Sequence, residues 1–416
     1  MKRIAIVVQR YGLEVNGGSE LYCRQIAERL VKFYEVEVLT TCAIDYVTWR
    51  NEYSQGAEVM NRVTVRRFKT DRERVPSDFD RSSRKIFSSK SMFSEGLAWQ
   101  QEQGPVSTDL LHYLEEHKGS YYVVIFMTYL YATTYFGLHI APERSILIPT
   151  AHDEPPIHLN IFNSLFHLPR VILFLTEEEK KFVQTKFKNS YISSLTVGLG
   201  VECPSKKILP NFRKKYGIAD RFVLYVGRID ESKGCGQLFD FFLRYVNEGN
   251  RKGLKLVLIG KPVFKIPKDP RIISLGFLSD EDKFAAIESA DLIVNPSQYE
   301  SLSMILLEAF SMDTPVLVNG NCEVLKGHCL RSNGGLFYEN YVEFCETLDY
   351  LLDHDRIRLG MGQNGRQYVE RNYQWAVIED KFRSAIEVVG SSENKRLCRT
   401  DREEVGNDGL EREAAL

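Results

Sequence analysis

Short apolar runs rich in β-branched residues alternate with amphipathic segments of helical period along almost the whole chain, and the series occurs twice. Strands are predicted at 3–8, 35–40, 62–68, 121–127, 145–149, 171–175 and 194–197, then at 222–227, 254–260, 271–276, 291–296 and 315–320. Strands separated by helical stretches form parallel sheets with helices on the faces, because a parallel crossover needs a dozen or more residues. Two separate doubly wound α/β sheets follow, and 416 residues exceed what one core usually organises. The first domain is assigned to 1–200, with a Ser-, Arg- and Gln-rich stretch at 70–118 that breaks the strand rhythm and supplies a helical elaboration. A charged, two-proline linker spans 201–216, a second domain 217–372 and a last helix 373–390. The polar residues 391–416 are expected to be disordered.

Charge excludes one class of partner. A formal net charge of -2 is not that of a dedicated nucleic-acid binder. Residues 62–90 nevertheless hold ten basic residues against four acidic ones. That stretch reads as a solvated face, or as a patch for an anionic lipid or acceptor. Cysteines at 23, 42, 203, 235, 322, 329, 345 and 398 lack CxxC spacing and read as reduced thiols. The opening "MKRIAIVVQR" loses its apolar run at Gln9 and reads as a strand rather than a signal peptide. The uncharged stretch 121–140, diluted by threonines, tyrosines, Gly137 and His139, reads as a buried strand followed by a helix. The expected location is cytoplasmic, with peripheral contact at the inner face of a membrane as an extension of that reading.

Ligands of open α/β sheets bind beyond the carboxyl ends of the strands, so the strand-to-helix loops hold the candidate sites. In "YVGRIDESKG", Arg228 and Lys233 bracket one loop. Two such cations either enclose an anion, for which a diphosphate has the right geometry, or Arg228 pairs locally with Asp230 or Glu231. In "NPSQYESLSMILLEAF", a helix starting near Ser303 leaves the amides of Ser301, Leu302 and Ser303 among its unpaired donors, which favours an anion. Glu300 sits before that helix, at its mouth. Glu308 lies seven residues past Ser301, on the same face and about 10 Å along the axis. An isolated Glu308 reads as a salt-bridged helix residue, but among Leu306, Leu307, Ala309 and Phe310 a carboxylate needs a partner. Acids at either end of a phosphate-binding stretch outline a nucleotide sugar. In "NGGSE", Gly17 and Gly18 permit close backbone approach to a ligand, and Ser19 is a candidate cap for the following helix. His152 reads as a loop histidine, or as part of a weak metal site with Asp153 and Glu154.

Taken in order, the Gly17-Gly18 pair, "GRIDESKG", "GFLSDED", "ADLIVNPSQYESLSMILLEAF" and "PVLVNGN" resemble the retaining glycosyltransferases of GT-B fold and GT4 type. The resemblance runs over about 1–390 and is densest from 222 to 380. It implies two Rossmann-like doubly wound domains facing across a cleft, with "MGQNGRQYVERNYQWAVIEDKF" as the closing segment that crosses back onto the first domain. It implies that Arg228 and Lys233 hold the donor diphosphate and stabilise the leaving group, so that neither metal nor cofactor is required. It further implies that Glu308 accepts hydrogen bonds from the ribose, that Glu300 faces the transferred sugar and that the amides of Ser301, Leu302 and Ser303 meet its hydroxyls and the distal phosphate. His152 matches the histidine that contacts the sugar. Ser301 and Ser303 stand where many relatives have glycine. The DxD-like pairs Asp78/Asp80 and Asp353/Asp355 follow no strand and are not read as metal sites.

The expected reaction is transfer of a sugar from a UDP- or GDP-sugar to a glycan or lipid-linked acceptor. It would serve surface polysaccharide or glycoconjugate synthesis, with front-face attack and the departing phosphate taking the acceptor's proton. A nucleotide-sugar epimerase on the same fold and a noncatalytic nucleotide-sugar-binding member are the alternatives. A nicotinamide dehydrogenase is disfavoured, because the first strand-to-helix loop lacks GxGxxG.

Overall fold

A computed structural model describes all residues except 16, 89–90, 203–208, 250, 252 and 407–416, with side chains described as far as residue 391. The chain divides into two units, Met1–Val197 with Glu379–Leu416, and Gly198–Ile378.

The sheet of the first unit consists of β1 (Arg3–Val7), β2 (Glu35–Thr41), β3 (Gly56–Met60), β4 (Val63–Phe68), β5 (Val123–Met127), β6 (Ser145–Ile148), β7 (Val171–Phe174) and β8 (Ser193–Thr196). Their order is β3-β4-β2-β1-β5-β6-β7-β8. All neighbours run parallel except β3 with β4. Chain direction through the sheet reverses around β1, which pairs with β2 on one side and β5 on the other, as Ile4 does with Val36 and Val123. Every residue of β5 is buried, because helices cover both faces of a parallel sheet. That explains the uncharged stretch 121–140: it holds β5 and the helix Ala132–Ile140. Among the described residues no helix is long and apolar enough to cross a membrane.

The second sheet holds β9 (Phe222–Val226), β10 (Lys255–Ile259), β11 (Ile272–Ser274), β12 (Leu292–Asn295), β13 (Val316–Asn319) and β14 (Gly335–Tyr338), in the order β11-β10-β9-β12-β13-β14 and parallel throughout. Its switch point lies between β9 and β12, which pair through Leu224 and Ile293. β3 and β14 are additions to the strands read from sequence. β3 is an almost wholly exposed edge strand and carries no burial pattern, while β14 is four residues long and begins at the second of two glycines.

Residues 70–118 contain the helices Pro76–Phe87, Phe93–Gln103 and Thr108–His117. Several cations of the basic stretch are committed to the fold. Arg66 pairs with Glu37, Arg67 donates to the Tyr11 carbonyl, and Arg74 donates to the Val47 and Gln103 carbonyls. Lys90 lies outside the described residues. Cys23, Cys42, Cys235, Cys322, Cys329 and Cys345 are free thiols, whereas position 203 and the side chain of residue 398 lie outside the description.

The last helix, Trp375–Gly406, joins the first unit from Glu379 onward. Its buried residues Phe382, Ile386 and Val389 recur at helical spacing, and Glu379 and Glu387 pair with Lys32 and Lys2 at 2.7 and 2.6 Å. The helix continues past residue 390, where composition places a disordered tail. The run rich in Glu, Lys and Arg that makes this stretch polar also has good helix propensity.

Candidate functional site

The loops that leave β9 and β12 meet at the switch point of the second sheet. After β9, Asp230 Oδ1 accepts the Ser232 amide at 2.9 Å and caps a short 3-10 turn, Glu231–Lys233. Gly234 ends that turn at φ 74, and a Cβ there would lie 2.4 Å from the Pro296 carbonyl of the second loop. Only glycine allows this approach. It carries Lys233 Nζ to 2.8 Å from Glu300 Oε1.

Arg228 follows the local alternative read from the sequence, its Nε lying 2.8 Å from Asp230 Oδ2. Against the opposing effect of burial, the Ser232 amide and the Arg228 guanidinium hold the Asp230 carboxyl below the ordinary range. The two cations of the loop thus stand at the switch point, each beside a carboxylate. Arg228 and Lys233 remain 43% and 34% exposed, so an arriving anion can reach them.

Beyond β12, the helix Met304–Ser311 starts from Ser303, which adopts the left-handed conformation at φ 64. A non-glycine residue is strained in that conformation. The Ser303 hydroxyl accepts a hydrogen bond from Asn295 Nδ2 at 3.1 Å instead of capping the helix, and Asn295 Oδ1 accepts the Ser297 amide at 3.0 Å.

The structure gives Glu308 the ion-pair partner that the sequence reading required. Its apolar neighbours in sequence, Leu306, Leu307, Ala309 and Phe310, are buried, whereas Ser301, Met304, Ile305 and Glu308 are partly exposed. Helical period therefore puts Glu308 on the outward face, at 15% exposure, where Lys283 Nζ reaches Oε1 at 2.9 Å. Burial raises the Glu308 carboxyl above the ordinary range, with the Lys283 ammonium opposing. Lys283 and Asn295 were missed in the sequence. Lys283 lies in the helix Asp280–Ser289, whose N-cap Ser279 accepts the Asp282 amide, but nothing local marks its side chain as the partner of residue 308.

In the first unit, the loop after β1 is organised by a buried ion pair. Glu20 Oε1 accepts from Arg10 Nε at 3.0 Å and from Gln9 Nε2 at 2.8 Å, with Arg10 and Glu20 only 4% and 5% exposed. Gly17 has a structural reason besides the one read from the sequence. A Cβ there would lie 2.1 Å from Glu20 Oε2, so the absent side chain makes room for the glutamate. Gly18 faces open space, and a Cβ there would have nothing within 4 Å. Ser19 is not the cap either. The N-cap is Gly17, and the Ser19 hydroxyl donates to Glu20 Oε2 at 2.9 Å.

His152, after β6, has Nε2 3.3 Å from Glu154 Oε2, while Glu154 Oε1 accepts from the Tyr129 hydroxyl at 2.7 Å. Asp153 is engaged by His158 at 2.7 Å. The acids of the alternative metal reading are therefore drawn into hydrogen bonds of their own. Glu179 supports this loop from beneath, accepting the amides of Ala151 and Leu175 at 2.6 Å each, and burial pushes its carboxyl up to about 8. Asp78 pairs with Arg81 and Asp353 with Arg251, so both DxD-like motifs contain ordinary ion-paired acids.

Residues 220–354 match the family described as glycosyl transferases group 1. An uncharacterized glycosyltransferase of Methanocaldococcus jannaschii is 27% identical over 199 residues, covering 43% of this chain and 50% of that one. The alpha-D-kanosaminyltransferase of Streptomyces kanamyceticus is 26% identical over 195 residues, 43% of this chain and 48% of its own. The chain thus spans about half the length of these curated relatives. Anabaena HepE, solved in complex with UDP, superposes with a TM-score of 0.68 at 12% identity, over 93% of this chain and all of that one. Residues 220–354 are thus similar to glycosyl transferases group 1, and the two sheet-based units have the fold of the GT-B glycosyltransferases.

Proposed function

We propose that this chain transfers a sugar from a nucleoside diphosphate donor to a glycan or lipid-linked acceptor with retention at the anomeric carbon. The observation that carries the reading is the meeting of the Arg228–Lys233 loop with the Ser301–Ser303 loop at the switch point of the second sheet, joined by Lys233 and Glu300 at 2.8 Å. A diphosphate arriving there exchanges carboxylate partners for its own oxygens: Arg228 and Lys233 turn from Asp230 and Glu300 to the phosphates. Released from Lys233, Glu300 meets the transferred sugar, while Glu308 accepts from the ribose hydroxyls. As the glycosidic bond breaks, negative charge grows on the β-phosphate, and two fixed cations with the helix-start amides oppose it without reorganising water. The departing phosphate takes the acceptor's proton, and His152 orients the sugar. HepE binding UDP on a similar fold, and a kanosaminyltransferase among the relatives, support this assignment.

The first unit is the acceptor side in this reading. A groove of about 780 Å³ there is lined by Phe79, Phe87, Trp99 and Leu130 with Arg84 and Gln103, a surface suited to sugar rings or an apolar carrier.

The test is a thermal-shift panel of UDP- and GDP-sugars on the full chain, followed by turnover with and without acceptor. Acceptor-dependent release of the nucleoside diphosphate supports transfer. An epimerised sugar nucleotide formed without acceptor overturns it in favour of the epimerase, and binding without turnover favours a noncatalytic member.

A further inference from the structure

His328 lies in the helix Glu323–Ser332 with no exposed surface. Its Nε2 is 3.0 Å from the carbonyl oxygen of Leu302, at the centre of the Ser301–Ser303 loop. A carbonyl only accepts, so Nε2 carries the proton. The other ring nitrogen, Nδ1, is 3.2 Å from the Tyr368 hydroxyl, which also meets the Tyr373 hydroxyl at 3.0 Å and Arg331 Nε at 3.4 Å. Arg331 can only donate, so the Tyr368 oxygen accepts that bond, and its own hydrogen is available to Nδ1 of a neutral ring. These partners suit the neutral Nε2–H tautomer. Burial, with Arg331 nearby, lowers its pKa to about 3, in keeping with this geometry.

The consequence falls on the loop. In a trans peptide the C=O of one residue and the N–H of the next point in opposite directions. Holding the Leu302 oxygen against the buried imidazole turns the Ser303 N–H to the opposite side, away from the core. The following residue, Ser303, sits at φ 64, a conformation that a single peptide flip would relieve and that persists only where its surroundings enforce it. Asn295 holds the Ser303 side chain at 3.1 Å, and His328 holds the peptide before it.

We infer that His328 is a positioning residue: by donating Nε2–H to the Leu302 carbonyl it fixes the 302–303 peptide with its N–H turned outward as a donor to the diphosphate of the bound nucleotide. This rests on the donor-site reading above. His328 touches no ligand itself, and the Tyr368 hydroxyl with its partners Tyr373 and Arg331 suits its neutral tautomer.

The experiment compares His328→Gln, which keeps an N–H donor, with His328→Phe, which fills the space without one, and with Tyr368→Phe, which removes the hydroxyl at Nδ1. Two quantities are measured on the full chain: amide hydrogen exchange across 300–303 without ligand, and UDP and GDP affinity by calorimetry. His328→Phe should speed exchange in the loop and weaken the better-bound nucleotide at least tenfold. His328→Gln should stay within about threefold of the parent chain in both, and Tyr368→Phe should fall between. In turnover, the His328→Phe loss should appear mainly in donor KM. Should His328→Phe fail to fold, Tyr368→Phe against His328→Gln decides. Unchanged loop exchange and unchanged affinity in a folded His328→Phe, or no difference between Tyr368→Phe and the parent chain, overturn the inference. A parent chain that binds neither nucleotide defeats the donor-site reading, while loop exchange still tests the role of His328.

Discussion

Lys233 and Glu300, 67 positions apart in sequence, are joined at 2.8 Å where the loops after β9 and β12 converge. Their side chains are 34% and 16% exposed, and a pair of that kind adds little to stability, about 0–1 kcal/mol. In the proposed donor site the pair is a resting arrangement that keeps a cation and an acid in place until a substrate separates them. Lys233→Ala should accordingly shift the thermal midpoint hardly at all and lower donor kcat/KM by about 10²–10³, the usual effect of removing one donor to developing charge. Steady-state kinetics beside a melting curve check this, and full activity in Lys233→Ala would sink the donor-site assignment.

Glu308 and Lys283 pose a different balance, because they are only 15% and 20% exposed. Removing the cation alone leaves a poorly solvated carboxylate. Lys283→Met should destabilise the chain by about 3 kcal/mol in urea denaturation, with more than half recovered in Lys283→Met/Glu308→Gln. Equal losses in the single and double variants would show that the lysine acts through packing instead.

The two glycines after β1 separate a structural need from a functional one. Gly17→Ala drives a methyl group into Glu20 and should cost about 1–3 kcal/mol. Gly18→Ala meets nothing, so its melting temperature should match the parent chain. If the loop approaches substrate, Gly18→Ala should still lower turnover severalfold. A stable and fully active Gly18→Ala would remove Gly18 from the binding surface.

Glu179 provides the pH test. Its carboxyl titrates near 8 in the folded chain against 4.5 ordinarily, so the folded state keeps a proton that the unfolded chain has released. The stability it contributes is fully present below pH 4.5 and declines as pH rises through about 8. Thermal midpoints recorded from pH 5 to 9 should fall toward the alkaline end, and Glu179→Gln should flatten that slope. A parallel pH dependence in the two proteins would contradict it.

The two sheets, nearly all their strands and the loops that carry the candidate site are legible in the order of residues alone. Burial on a parallel sheet imposes β-branched apolar runs such as Val123–Met127, and strand ends are marked by Gly227 and Gly260. These signals lie within a few residues of each other, so a linear reading finds them. β3 escaped because an exposed edge leaves no such trace. The partners of the polar groups emerge only when the chain folds. Gly17 makes room for Glu20, Glu308 belongs to Lys283, and the Leu302 carbonyl belongs to His328. A hydrogen bond depends on separation and direction in space, and partners 25 or 26 positions apart leave no periodic mark that links them before the helices pack.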